Sequence, residues 1–197
     1  IVNMLYFAVR GCQLWFFDKS LVNASTYDKV WGSYPEVIST LITMFAFQIW
    51  DFAVTLIVPD MRRLEYLIHH AGTALVALVS LTTRPHGFCL YYVAFYMGVS
   101  EVSSIPLAIM ELFDKNAGLA EKYAGINAVC RAIFAVLFVS FRCLYWPWVS
   151  LDQFKSVLSS KVPRALSSSV LIGGIGFMSL QLYWGSLIVK EVMKMLA

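Results

Sequence analysis

Long apolar runs alternate with short polar connectors along most of the chain. The first, Ile1 to Phe17, is apolar apart from Asn3, Arg10 and Gln13, and predicts a span shortened at its start. A polar stretch from Asp18 to Pro35 precedes a clear second run, Val37 to Val58, closed by Pro59-Asp60. The third covers Leu64 to Leu81 and ends at Thr82-Thr83-Arg84-Pro85, where a proline cannot continue a helix. The fourth, Phe88 to Phe113, carries Glu101 inside it and predicts a kink at Pro106. The fifth, Tyr123 to Pro147, contains Arg131 and Arg142 and closes on Trp146-Pro147-Trp148, an aromatic anchor suited to a membrane–water interface. A polar loop, Ser150 to Ser168, leads to the sixth run, Val170 to Val192, whose Gly173-Gly174-Ile175-Gly176 suits close helix contact. A helical span needs roughly 20 apolar residues. The pattern therefore predicts an all-α, polytopic transmembrane bundle of about six spans, in one domain over residues 1–197. A transmembrane barrel would show short alternating segments instead.

Composition agrees. Of 197 residues, 59% are hydrophobic and 14% charged, against about 25% charged in an average soluble domain. The net charge of +3 comes from scattered residues, with no polybasic arm. A nucleic-acid-binding module, a disordered chain and a disulfide-stapled scaffold are all excluded on these figures. The sequence begins at Ile1 and not at a methionine, which implies a removed targeting segment or a fragment. Cys12, Cys89, Cys130 and Cys143 lie within or at the ends of apolar runs, form no CxxC and have no zinc-like spacing with histidine. They read as small buried hydrophobes, and neither a metal nor a cofactor is expected. Lysines and arginines divide evenly between the two sets of loops, so the positive-inside rule sets no orientation and the host membrane stays open.

The polar residues inside the runs are the most informative feature, because ionisable groups in a span are costly and face the bundle interior. At about 1.5 Å per residue, Asp51, His69, His70, Glu101, Arg131 and Arg10 all fall roughly 8–18 Å from the face carrying Arg62-Arg63. Five spans thus place a charged or titratable group in one broad layer. Such a layer can brace the bundle, with Arg131 and Arg10 neutralising Asp51 and Glu101. It can also line a cavity. Adjacent histidines point about 100° apart on a helix, so one of them faces the carboxylates, and His70 with Glu101 or Asp51 is the favoured pair. A carboxylate fixes the tautomer of a histidine and raises its basicity, as general-base or nucleophilic catalysis requires. Arg142 falls near the opposite face beside the tryptophans, where snorkelling accounts for it. His86 reads as an exposed loop histidine. Ser100, Ser103 and Ser104 flank Pro106 and are expected to bond carbonyls freed by its kink.

From Trp50-Asp51 to Pro106 the chain resembles the TLC-domain family, multi-span lipid-associated proteins that include the ceramide synthases. The resemblance rests on Asp51 in an aromatic-rich span, the basic connector, Tyr66-Leu67-Ile68-His69-His70, and then Ser100-Glu101-Val102-Ser103-Ser104-Ile105-Pro106. Where ceramide synthases have His-Asp-x-Ser-Asp, this chain reads Met97-Gly98-Val99-Ser100-Glu101. The serine and the final acid are present, but the His-Asp pair is not, so the chain looks closer to members other than ceramide synthases. The resemblance implies a lipid-handling protein that binds a lipid or acyl chain in the bundle, with membrane lipids as its partners. In an acyltransferase-like mechanism, His70 or His69 would act as base or acyl acceptor. Glu101 and Asp51 would orient the histidine, and Arg131 would bind an anionic group. Asp51, Arg131, Ser100 and Arg10 would contact the lipid. The alternative is a non-catalytic accessory subunit that packs against other subunits of a larger respiratory or photosynthetic membrane complex. A transporter is disfavoured, since no internal repeat pairs the interrupted fourth span with a counterpart.

Overall fold

In a computed structural model, which describes residues 2–83 and 87–196, the apolar runs form helices and no strand occurs among the described residues. Helix α1 (Val2–Cys12) continues into a π-helical turn, Gln13–Phe17. The polar stretch forms two short helices, α2 (Lys19–Val22) and α3 (Thr26–Trp31). Both are capped from the sequence: Asp18 accepts from the backbone N–H groups of Ser20 and Leu21, and the Ser25 hydroxyl accepts from Asp28 N–H. Next come α4 (Pro35–Ile57) and α5 (Leu64–Thr82), joined by a 3₁₀ turn at Pro59–Met61. Pro35 opens α4 at a position where its missing N–H costs nothing. The expectation for His86, with Arg84-Pro85, falls outside the described residues.

The fourth run is where the structure departs from a simple span. Helix α6 (Leu90–Tyr96) stops at Met97-Gly98, a 3₁₀ segment covers Val99–Ser103, and α7 (Ser104–Lys115) follows. The expected kink at Pro106 is therefore corrected. Pro106 sits in the first turn of α7, where proline is tolerated, and the break lies upstream of it. Its cause is α1, which crosses with Gly11 packed directly on Gly98, so that a side chain on either glycine would overlap the other's backbone. Helix α6 and the residues flanking it are the centre of the bundle, with Phe88, Leu90, Tyr92, Phe95 and Val99 all nearly inaccessible.

The fifth run is also longer than its pattern suggested. After α8 (Ala117–Lys122), α9 (Ala124–Phe138) passes through a π-helical stretch, Val139–Tyr145, into α10 (Trp146–Ser159). Pro147 does not end the span. A proline ring crowds the carbonyl four residues back, here Cys143, and the seven-residue π stretch widens the helix at that place. Most of the expected polar loop at Ser150 to Ser168 is thus helical. Trp146 is buried in the bundle, whereas Trp148 stays exposed as an anchor would. Helix α11 (Arg164–Leu196) closes the bundle.

Among the described residues, five helical stretches are long and apolar enough to cross a membrane: 26–57, 64–82, 90–115, 124–159 and 164–194. The first run is helical but shorter, with eleven α-helical residues and five π-helical ones. Large apolar side chains such as Ile133, Val136, Ile172 and Leu187 stand on the outside, as lipid-facing positions should. The glycines of α11 do not form one contact stripe: Gly174 meets the Phe154 ring, while Gly173 and Gly176 face open space. Cys89 is buried, and Cys12, Cys130 and Cys143 are half-buried thiols.

Candidate functional site

The site is assembled from α4, α5, the 3₁₀ segment, the π stretch and α11. On α4, Gln48 and Asp51 lie three residues apart and so share a face. That face meets α5, its closest companion in the bundle. His70 Nδ1 hydrogen-bonds Gln48 Oε1 at 2.8 Å, and His70 Nε2 lies 3.3 Å from Asp51 Oδ2. Both ring nitrogens therefore have a partner on α4, and the ring is locked in place.

His69 points elsewhere, as its position on the helix requires. Its ring stands nearly perpendicular to those of His70, Phe177 and Trp184, at centroid separations of 5.3, 6.0 and 5.5 Å. Its Nδ1 is buried without a hydrogen-bond partner, and Nε2 has no partner among the described residues.

Arg142 is the residue that the sequence pattern misplaced. Instead of snorkelling to an interface it is buried, and it gathers the broken part of the fourth span around its guanidinium. Nε donates to the Ser100 carbonyl at 3.2 Å and the Ser103 hydroxyl at 3.0 Å. Nη2 donates to Glu101 Oε1 at 3.2 Å and the Ser104 hydroxyl at 3.0 Å, and Nη1 to Gln181 Oε1 at 3.4 Å. A 3₁₀ segment leaves carbonyls unpaired, and Arg142 takes one of them. The Ser100 hydroxyl donates to the Tyr96 carbonyl and that of Ser103 to the Ser100 carbonyl, both upstream of Pro106.

Two other expectations are corrected. Arg10 pairs with Glu36 at the start of α4 and with Gln13, away from the histidines. Arg131 pairs with Asp114 at the end of α7 and with Asn127. Neither neutralises Asp51 or Glu101. Asp51 is matched by His70, and Glu101 by Arg142. Depth counting brought Arg131 into the layer because it measures height along a span and not direction, and the side chain of Arg131 turns to Asp114 and Asn127. The continuation of α9 through Pro147 puts Arg142 at the centre of the stretch, about two turns past the expected middle.

Beside these groups lies a cavity of about 300 Å³. One end is polar, with His69, Gln48, Glu101 and Arg142 in its wall. The walls beyond are mainly apolar, including Val76 and Val79 of α5 and Val170, Gly173 and Phe177 of α11, with Thr73, Ser80, Gln153 and Ser169 among them. From His69 to Ser80 the lining extends over about 16 Å of α5. His70, Asp51, Arg131 and Arg10 do not line it. Among the described residues no group of three or more histidine, cysteine or acidic side chains could hold a metal ion.

A family model described as the TLC domain matches residues 1–190. The chain belongs to the TLC-domain family. No curated protein sequence and no solved structure gives a match. In this integral membrane TLC-type protein, packing fixes the residue at Gly98. Gly98 is pressed against Gly11 and the Ala94 carbonyl, and no side chain fits there. The TLC domain here uses that position to seat α1.

Proposed function

We propose that this TLC-domain protein binds a lipid or acyl chain within its helical bundle, with the head group at the polar end beside His69 and Glu101. The observation that carries this reading is the cavity of about 300 Å³, mainly apolar in its lining, with Glu101, Arg142 and His69 gathered at one end. Ligand sites typically occupy about 300–1,000 Å³ and combine apolar walls with a few convergent polar groups. Leu75 and Val76 line the cavity and yet remain 61% and 40% exposed, so it is open along α5 toward the apolar surroundings of a span. A tail lies along α5 and α11 while the head meets the polar layer. His70, Asp51 and Gln48 act as positioning residues, since they hold α4 against α5 and so fix where His69 stands.

Ceramide-synthase chemistry is not part of this proposal, because the position of the missing aspartate has no room for a side chain. Photolabelling with a diazirine-bearing fatty chain, in protein held in lipid nanodiscs, tests the reading. Labels are expected at Val76, Ser169 or Gly173. Labelling restricted to outward positions such as Val129 and Val136 of α9 would contradict it.

A further inference from the structure

The charged groups at the polar end of the cavity are already paired, and this selects the head group. Arg142 commits Nε, Nη1 and Nη2 to protein acceptors, so its guanidinium has little left to offer a phosphate or carboxylate. An anion entering the cavity would instead meet Glu101 at the same wall. A cation would meet Arg142, 3.2 Å from that carboxylate. Either charge would be brought beside a like one where little water remains to screen it.

What the wall does offer is acceptors. Glu101 engages Oε1 with Arg142, and Oε2 takes no donor among the described residues. His69 Nδ1 is the buried nitrogen, in a ring packed among His70, Phe177 and Trp184. In a neutral imidazole one ring nitrogen carries the proton and the other accepts. With its proton on Nδ1, His69 keeps Nε2 as an acceptor for a ligand. Size sets the tail. The cavity's volume of about 300 Å³ is at the lower end of ligand sites, about 300–1,000 Å³, and suits one slender chain.

We infer that the cavity selects a single-chain lipid with an uncharged hydroxyl head, whose O–H donates to His69 Nε2 in the wall that also holds Glu101. The inference rests on the lipid-binding proposal above and narrows its ligand class. It is tested with the full chain in nanodiscs by equilibrium binding of four twelve-carbon probes: dodecanol, dodecyl methyl ether, laurate and dodecylamine. Dodecanol is expected to bind at least about 10-fold more tightly than the ether, which has the tail but no donor, and more tightly than either charged probe. In His69→Phe, an aromatic replacement in an aromatic setting, the preference for alcohol over ether should shrink to about 2-fold or less. Tightest binding of laurate or dodecylamine, or equal binding of alcohol and ether, overturns the head-group assignment and leaves lipid binding standing. Failure of all four probes to bind overturns the lipid-binding proposal itself. Should His69→Phe not fold, the wild-type order among the four probes decides alone.

Discussion

Arg142 and Glu101 show how much a single pair can set in a bundle of this kind. The guanidinium ties the π stretch to the 3₁₀ segment and to Gln181 on α11 in one network. Removing one member of a buried pair leaves the other uncompensated, at a cost of about 3–5 kcal/mol, whereas replacing both by apolar groups is far milder. Arg142→Met should accordingly lower unfolding stability by about that amount, and Arg142→Met combined with Glu101→Leu should recover most of it. Equal losses in the single and double variants, measured in one detergent, would show that the charges do not act as a pair. Gly98 gives a second residue-level expectation. Gly98→Ala places a methyl group against the backbone of Gly11 and should cost about 1–3 kcal/mol, read as a lower midpoint of thermal unfolding. Asp51, His69 and His70 could be found from the sequence because they sit on helices with clear ends and are costly in a span. Arg142 is just as costly, but Pro147 and its two tryptophans suggested a helix end. Gln48 carries no charge and gave no signal, although it holds His70 as closely as Asp51 does.

At the scale of elements, the two π-helical segments meet each other. Trp15, in the first, donates its indole N–H to the Tyr145 hydroxyl at the end of the second, at 2.9 Å. The two rings also pack nearly perpendicular, with centroids 6.4 Å apart. Trp15→Phe and Tyr145→Phe should each cost about 1 kcal/mol, and the double variant should cost little more than either alone. Full additivity in chemical unfolding would show that the contact is not made. Hydropathy located the helices well, since apolar runs of this length have few other folds available in a membrane. It did not show how they are interrupted. The break before Ser104 arises from backbone contact between Gly11 and Gly98, residues far apart in the chain, and no local pattern encodes it. The passage through Pro147 depends on a change in helix type that apolar periodicity does not report.

On the proposal made above, the whole bundle of TLC-domain type keeps a cavity with a charged end open for a lipid instead of packing it shut. Two glycines of α11 allow that claim to be isolated. Gly173 lines the cavity, Gly176 does not, and a side chain at either would meet open space. Leucine at either position also suits a helix better than glycine, so neither change should harm folding. The accessory-subunit alternative differs in its expectation, since there the cavity is incidental and the chain is held by stoichiometric contacts with other subunits. The decisive measurement is native mass spectrometry of the protein gently released from its own membrane, comparing wild type, Gly173→Leu and Gly176→Leu. A reproducible lipid adduct is expected on the wild type and Gly176→Leu, and its loss in Gly173→Leu. An adduct unaffected by Gly173→Leu, or a wild-type chain that carries no lipid and travels with a fixed set of other subunits, would contradict it.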